Sequence, residues 1–225
     1  MGHGSGSGVG GMVPRPHRLP RYLLRMTSAA LPGSAALARG VLADRVALGS
    51  RARFLLPVIG AAVVGLFAQV SVPLPFTPVP LTGQTLGVLL VGAALGPRRG
   101  AASLGLYVLG GAVGLPLYAA GASGVGALVG PTGGYLVGFV VAAWLVGALA
   151  ARGHDRGPAT MLAVYALGTA AIYVLGASWL AVVLGVGPWE AFVLGVAPFL
   201  VGDAVKALLA AGLLPAAWRL LGTRD

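Results

Sequence analysis

Asp203 and Lys206 stand three residues apart in PFLVGDAVKALLAAGLL, an otherwise apolar stretch, and Lys206 is the only lysine of the chain. On a helix this spacing puts both side chains on one face. An ionisable residue at the centre of a membrane helix costs roughly 2.5–3.5 kcal/mol on insertion scales, so it turns toward a protein interior or a cavity. Two chemistries fit the pair. One is a structural ion pair between neighbouring turns, which contributes only about 0.2–0.5 kcal/mol to a helix against the cost of desolvating both charges. The other is a polar ligand held in an apolar setting, with a carboxylate for Lys206 and N–H donors for Asp203.

Further polar groups fall where helices begin. Thr82, Gln84 and Thr85 open an apolar run. Thr82 is the best placed of them to cap it, and Gln84, whose amide both donates and accepts, is the better ligand group. GPTGGY at 130–135 precedes another apolar run. Read locally it is a turn and helix start with Thr132 as a cap. Read as a site, Gly130 permits close backbone approach to a ligand, and Tyr135 packs or hydrogen-bonds. Phe76, Tyr107, Tyr118 and Trp179 could supply an apolar wall, or be ordinary packing and interface aromatics. Ala61 and Gly65 form a small-xxx-small pattern, suited to close packing inside a bundle or against a partner subunit.

The elements that position these residues are apolar helices. Hydrophobic residues make up 57% of the chain and charged residues 9%, far below the quarter or so of a soluble domain. Hydropathy places spans at about 54–72, 83–96, 100–119, 134–151, 158–184 and from Pro198 to about Leu221, with a short interfacial piece at 188–197. The expected fold is an all-α membrane protein with six transmembrane helices in a compact bundle. Pro73, Pro75, Pro78 and Pro80 favour an extended, polyproline-like path. The glycine-rich 121–134 stretch cannot be helical throughout. Non-helical backbone at membrane depth must be buried in protein or line a cavity, so the two segments suggest a lidded pocket; two long external loops are the alternative.

The net charge of +10 follows topology. Eight of the arginines precede Phe54, and Arg98, Arg99, Arg152, Arg156, Arg219 and Arg224 fall in alternate inter-span segments or at the C terminus. The segments 73–82, 120–133 and 185–190 hold no arginine or lysine. This asymmetry places both termini on the cytoplasmic side of the membrane, and it opens the Asp203–Lys206 site outward. The basic charge then faces anionic lipid rather than nucleic acid. Residues 1–53 read as a basic, Gly/Ser/Arg-rich extension, partly disordered, without a cleaved signal peptide. Residues 54–222 read as the substrate-binding domain.

Absences narrow the function. There is no cysteine, and His3, His17 and His154 lie outside the spans, so no metal site or catalytic triad is expected in the membrane. No Gly-Lys-Ser/Thr nucleotide loop and no GxSxG motif occurs. A membrane subunit that binds a small polar ligand, a self-sufficient secondary carrier with Asp203 as its protonatable site, and an intramembrane enzyme using the pair as acid and base remain. The enzyme lacks a third partner and a cofactor motif.

PLPFTPVPLTGQTLGVLL at 73–90, GAALGPRRGAASLGLYVLGGAVGLP at 92–116, GPTGGYLVGF at 130–139 and PFLVGDAVKALLAA at 198–211 together resemble the BioY family, the biotin-specific S-components of energy-coupling factor (ECF) transporters. The resemblance covers most of 54–215, in order. It implies a non-enzymatic protein of the cytoplasmic membrane that binds biotin from outside, without cofactor. Its implied partners are a transmembrane coupling protein and two cytoplasmic ATPases; some proteins of this type are thought to act without a dedicated coupling module. It implies Lys206 at the valerate carboxylate and Asp203 at the ureido ring, or the reverse. Tyr135, Gly130, Thr132 and the 76–85 segment with Phe76, Gln84 and Thr85 would close around the rings. Ala61 and Gly65 would form the docking face for the coupling protein.

Overall fold

The structure, a computed structural model, describes residues 1–4, 40–46 and 49–222. The chain divides into a unit of residues 1–37 and a unit of residues 38–225. Of the first, the described residues 1–4 are exposed and without regular structure. The disorder expected within residues 1–53 falls largely on residues outside those described.

The second unit is helical. In chain order it contains α1 (Leu42–Arg45), α2 (Ser50–Gln69), β1 (Ser71–Val72), β2 (Leu81–Thr82), α3 (Gln84–Leu95), α4 (Pro97–Ala112), α5 (Gly126–Val129), α6 (Gly133–Ala150), α7 (Pro158–Leu184), α8 (Pro188–Gly195) and α9 (Leu200–Gly222). Three helical runs, Gly133–Ala150, Pro158–Leu184 and the α8–α9 stretch to Leu221, are long and apolar enough to cross a membrane. Arg53–Gln69 and Gln84–Leu95 are shorter apolar helices.

Sequence explains where the helices start and stop. Proline occupies the first turn of α4, α7 and α8, where its missing N–H costs nothing. α7 ends at Gly185, whose left-handed φ of 66° lets its N–H close on the Ala181 carbonyl. α4 stops at Ala112, short of the expected 119, because Val113 and Gly114 turn the chain there. Pro198 lies in a 3₁₀ turn, Ala197–Phe199, just ahead of α9.

α6 lies at the centre, packed against α3, α4 and α7. α2 packs on α3 and α4, and α9 on α7 and α3. The core is built from such residues as Val88, Leu89, Leu104, Tyr107, Val146, Met161, Tyr165 and Ile172. The outer surface is apolar too: Phe54, Leu55, Val58, Ile59 and Leu66 on α2, and Val201, Val205, Leu208 and Leu213 on α9, are exposed. Apolar patches of this extent do not face water in a soluble monomer; they fit helices whose solvent is lipid. This is a membrane protein.

The 73–80 segment departs from an extended proline path. Ser71–Val72 and Leu81–Thr82 pair antiparallel, Ser71 opposite Thr82 and Val72 opposite Leu81. The segment between them folds back as a loop, with Thr77 donating to the Leu194 carbonyl at 2.8 Å. The two-rung ribbon satisfies backbone groups that an extended path would leave open. Between the 3₁₀ turn Ala119–Gly121 and the start of α6 at Gly133, the glycine-rich stretch holds the single turn α5, as its composition requires.

At the other end of α9, Trp218 Nε1 donates to Asp155 Oδ2 at 2.7 Å in the α6–α7 turn. The Arg156 guanidinium lies 4.6 Å from the Trp218 ring centroid. Asp155 is fully buried. Burial pushes its carboxyl up from the ordinary value, opposed by the Trp218 N–H, its own backbone and the Arg156 and His154 charges.

Candidate binding site

α3, α7 and α9 converge on one cluster. Lys206 Nζ lies 2.7 Å from Asp203 Oδ1 and donates to Thr85 Oγ1 at 2.8 Å. Thr85 Oγ1 in turn donates to Asp203 Oδ1 at 2.9 Å. Tyr173 from α7 donates its hydroxyl to Asp203 Oδ2 at 2.5 Å. Asp203 is 5% exposed, and a carboxylate this buried is sustained only by such charge-assisted bonds. The i,i+3 spacing on α9 brought the pair together, and two hydroxyls from other helices complete it.

The cluster lies on the wall of a cavity of about 260 Å³. Among the described residues, Asp203 and Lys206 are its only charged lining residues. Leu136, Phe139, Ile172 and Phe199 supply apolar wall, while Val79 and Pro80 of the 73–80 loop, Leu81 and Thr82 of the ribbon, and Tyr118, Ala119 and Ala122 border it. A mostly apolar concavity with a few converging polar groups is the usual form of a small-molecule site.

Of the residues expected from sequence, Gln84, Thr85, Thr132, Tyr135, Asp203 and Lys206 line this cavity. Gln84 is buried and fixed at both ends of its amide. Nε2 donates to the Tyr107 hydroxyl, and Oε1 accepts from Thr82 Oγ1 at 2.9 Å. One amide N–H and one lone pair remain. Thr82 does not cap α3 at the N-cap position, which is Gly83; its hydroxyl receives the Gln84 N–H at 3.3 Å while orienting the Gln84 amide. Thr132 holds the N-cap position of α6 but donates to the Ala127 carbonyl at 3.2 Å instead of capping.

Tyr135 presents its ring rather than its hydroxyl proton, which goes to the Gly195 carbonyl at 2.7 Å. The ring fits a slot opened by Gly176 of α7, where an added Cβ would come within 2.3 Å of it. Phe76 and Gly130 do not line the cavity. Phe76 is exposed on the turn of the 73–80 loop, and the Gly130 carbonyl is occupied by Trp179 Nε1 at 2.9 Å. Ala61 and Gly65 face inward. Ala61 is buried, and a Cβ on Gly65 would stand 3.1 Å from Leu117, so this pattern packs within the chain.

Tyr173 was not among the residues expected from sequence. The signal was present: Tyr165, Thr169 and Tyr173 recur at four-residue spacing in an otherwise apolar span, which gathers three hydroxyls on one helix face. Among the described residues, Tyr165 Oη and Thr169 Oγ1 are buried without a hydrogen-bond partner.

The profile of the BioY family matches residues 43–223. The chain is 36% identical over 171 residues to the biotin transporter BioY of Rhizobium etli, covering 73% of this chain and 91% of that one. It is 39% identical over 149 residues to the probable biotin transporter BioY of Pyrococcus horikoshii, covering 66% and 85%. Among solved structures, the S-component for biotin from an ECF-type ABC transporter matches with a TM-score of 0.69. That match covers 77% of this chain and 95% of the other at 23% identity, a likeness of fold.

Proposed function

The chain belongs to the BioY family, and from that membership together with the chemistry of the cavity we propose that it binds biotin and takes it up across the cytoplasmic membrane as the substrate-specific subunit of an ECF-type transporter. The observation that carries this reading is Lys206: the chain's only lysine is, among the described residues, the one cation lining a mostly apolar cavity. Its unused N–H meets the valerate carboxylate. The remaining acceptor of Asp203 and the free N–H of Gln84 are matched to the ureido ring, and Phe139, Ile172 and the Tyr135 ring pack against the apolar remainder. Thr85 and Thr132 complete the polar lining.

α2, α3, α4, α6, α7 and α9 are six membrane crossings in this reading, with both termini in the cytoplasm. The arginine asymmetry supports it, since the ribbon and the α7–α8 turn carry no basic residue. The cavity then opens outward. A site that binds tightly from outside needs work to release its ligand inward. No nucleotide loop occurs in the chain, and in this reading that work comes from a coupling protein and two ATPases. The protein is a binding and transport subunit, not an enzyme, and needs no cofactor.

Calorimetric titration of the detergent-solubilised protein with biotin tests the reading. One-to-one binding, lost on Lys206→Ala, is the expected result. A folded wild-type protein that takes up no biotin would overturn it.

A further inference from the structure

We propose that Tyr173 is the positioning residue of the charged pair, and that its hydroxyl fixes how many hydrogen bonds the pair has left for a ligand. The proposal rests on the biotin reading of the cavity. An ionised carboxylate offers about four acceptor positions and an ammonium three donors. Asp203 Oδ1 is filled by Thr85 at 2.9 Å and Lys206 at 2.7 Å, and Oδ2 takes Tyr173 at 2.5 Å. Lys206 spends two donors, on Thr85 and Asp203. One acceptor on Asp203 and one donor on Lys206 remain.

That remainder sets selectivity. A donor and an acceptor side by side match a neutral group with adjacent N–H and C=O, or a single carboxylate facing Lys206. They do not match a second anion, since the pair itself is neutral and has one N–H to give. Tyr173 is the one contact that binds Oδ2 from a different helix, α7, and it lines the cavity beside the pair. Without its hydroxyl the carboxylate can turn about its side-chain bonds, and the free acceptor no longer points one way. Tyr173 thus acts through Asp203, not by holding the ligand.

A double-mutant cycle on biotin affinity reads this directly. Tyr173→Phe keeps the ring and should weaken binding about tenfold, the scale of one lost hydrogen bond to a charged group. In the Asp203→Asn background the same change should alter affinity less than twofold. Equal losses in both backgrounds, or no loss in the first, would overturn the proposal, because ring packing and direct ligand contact do not depend on Asp203. If Asp203→Asn abolishes measurable binding, the infrared carboxylate stretch of the ligand-free protein decides. The band assigned by its disappearance in Asp203→Asn should shift in Tyr173→Phe, and an unshifted band rejects the role. Should the wild-type protein bind no biotin, the biotin reading falls while the infrared comparison still decides Tyr173.

Discussion

Thr85 Oγ1 donates to Asp203 Oδ1 at 2.9 Å across 118 residues of sequence. The same oxygen receives Lys206 Nζ at 2.8 Å. One hydroxyl on α3 therefore bridges both charges of α9 and holds the first turn of the helix below the ribbon against the last helix of the chain. Thr85→Val keeps the shape and removes the bridge. Because hydrogen bonds to charged groups contribute about 1.5–3 kcal/mol, biotin affinity should fall by about tenfold or more in calorimetry. An unchanged affinity would show that the bridge does not organise the site.

Lys206→Met removes the ammonium and keeps most of the aliphatic stem. Affinity for biotin should fall on the order of 100-fold, about 2.8 kcal/mol at 1.4 kcal/mol per tenfold. Breaking a buried pair from one side also destabilises a fold. The doubly neutral Asp203→Asn, Lys206→Met variant avoids that: it should unfold at a temperature close to wild type and still fail to bind. Recovery of binding in the double variant would remove Lys206 from ligand contact.

The inward placement of Ala61 and Gly65 makes a separate prediction. Leucine at Gly65 drives its first carbon to 3.1 Å from Leu117, and leucine at Ala61 enlarges a buried position. Ala61→Leu with Gly65→Leu should lower thermal stability by about 1–3 kcal/mol, the usual cost of overpacking. If the unfolding temperature stays put while complex formation with a coupling protein fails, the two residues are an interface and not core.

Asp155 gives a pH dependence. Burial raises its carboxyl above the ordinary 3.8, so the folded protein holds this proton to higher pH than the unfolded chain does. Its contribution to stability is fullest below 3.8 and is lost as pH rises through the raised folded value. Asp155→Asn keeps an acceptor for Trp218 and abolishes the titration. The thermal-stability profile on the acidic side should be flatter in the variant than in wild type. Superimposable profiles would mean that another group controls this window.

The sequence by itself determined where most of the helices run and that Asp203 and Lys206 share one helix face. Runs of apolar residues bounded by proline and glycine place α6 and α7 within a residue or so of where they stand, because a helix satisfies its own backbone and its composition alone can specify it. Asp203 and Lys206 were legible for the same reason, since an i,i+3 pair is local and a lone lysine among leucines has few uses. Tertiary structure decided what lies across from them. That Tyr173 and Thr85, from two other helices, fill the Asp203 carboxylate, that Phe76 turns outward, and that Ala61 and Gly65 turn inward depends on helix rotation. Apart from the hydroxyl stripe of α7, nearly uniform apolarity around these helices leaves rotation unmarked in the sequence. Packing sets it, through contacts such as the Tyr135 ring in the slot left by Gly176.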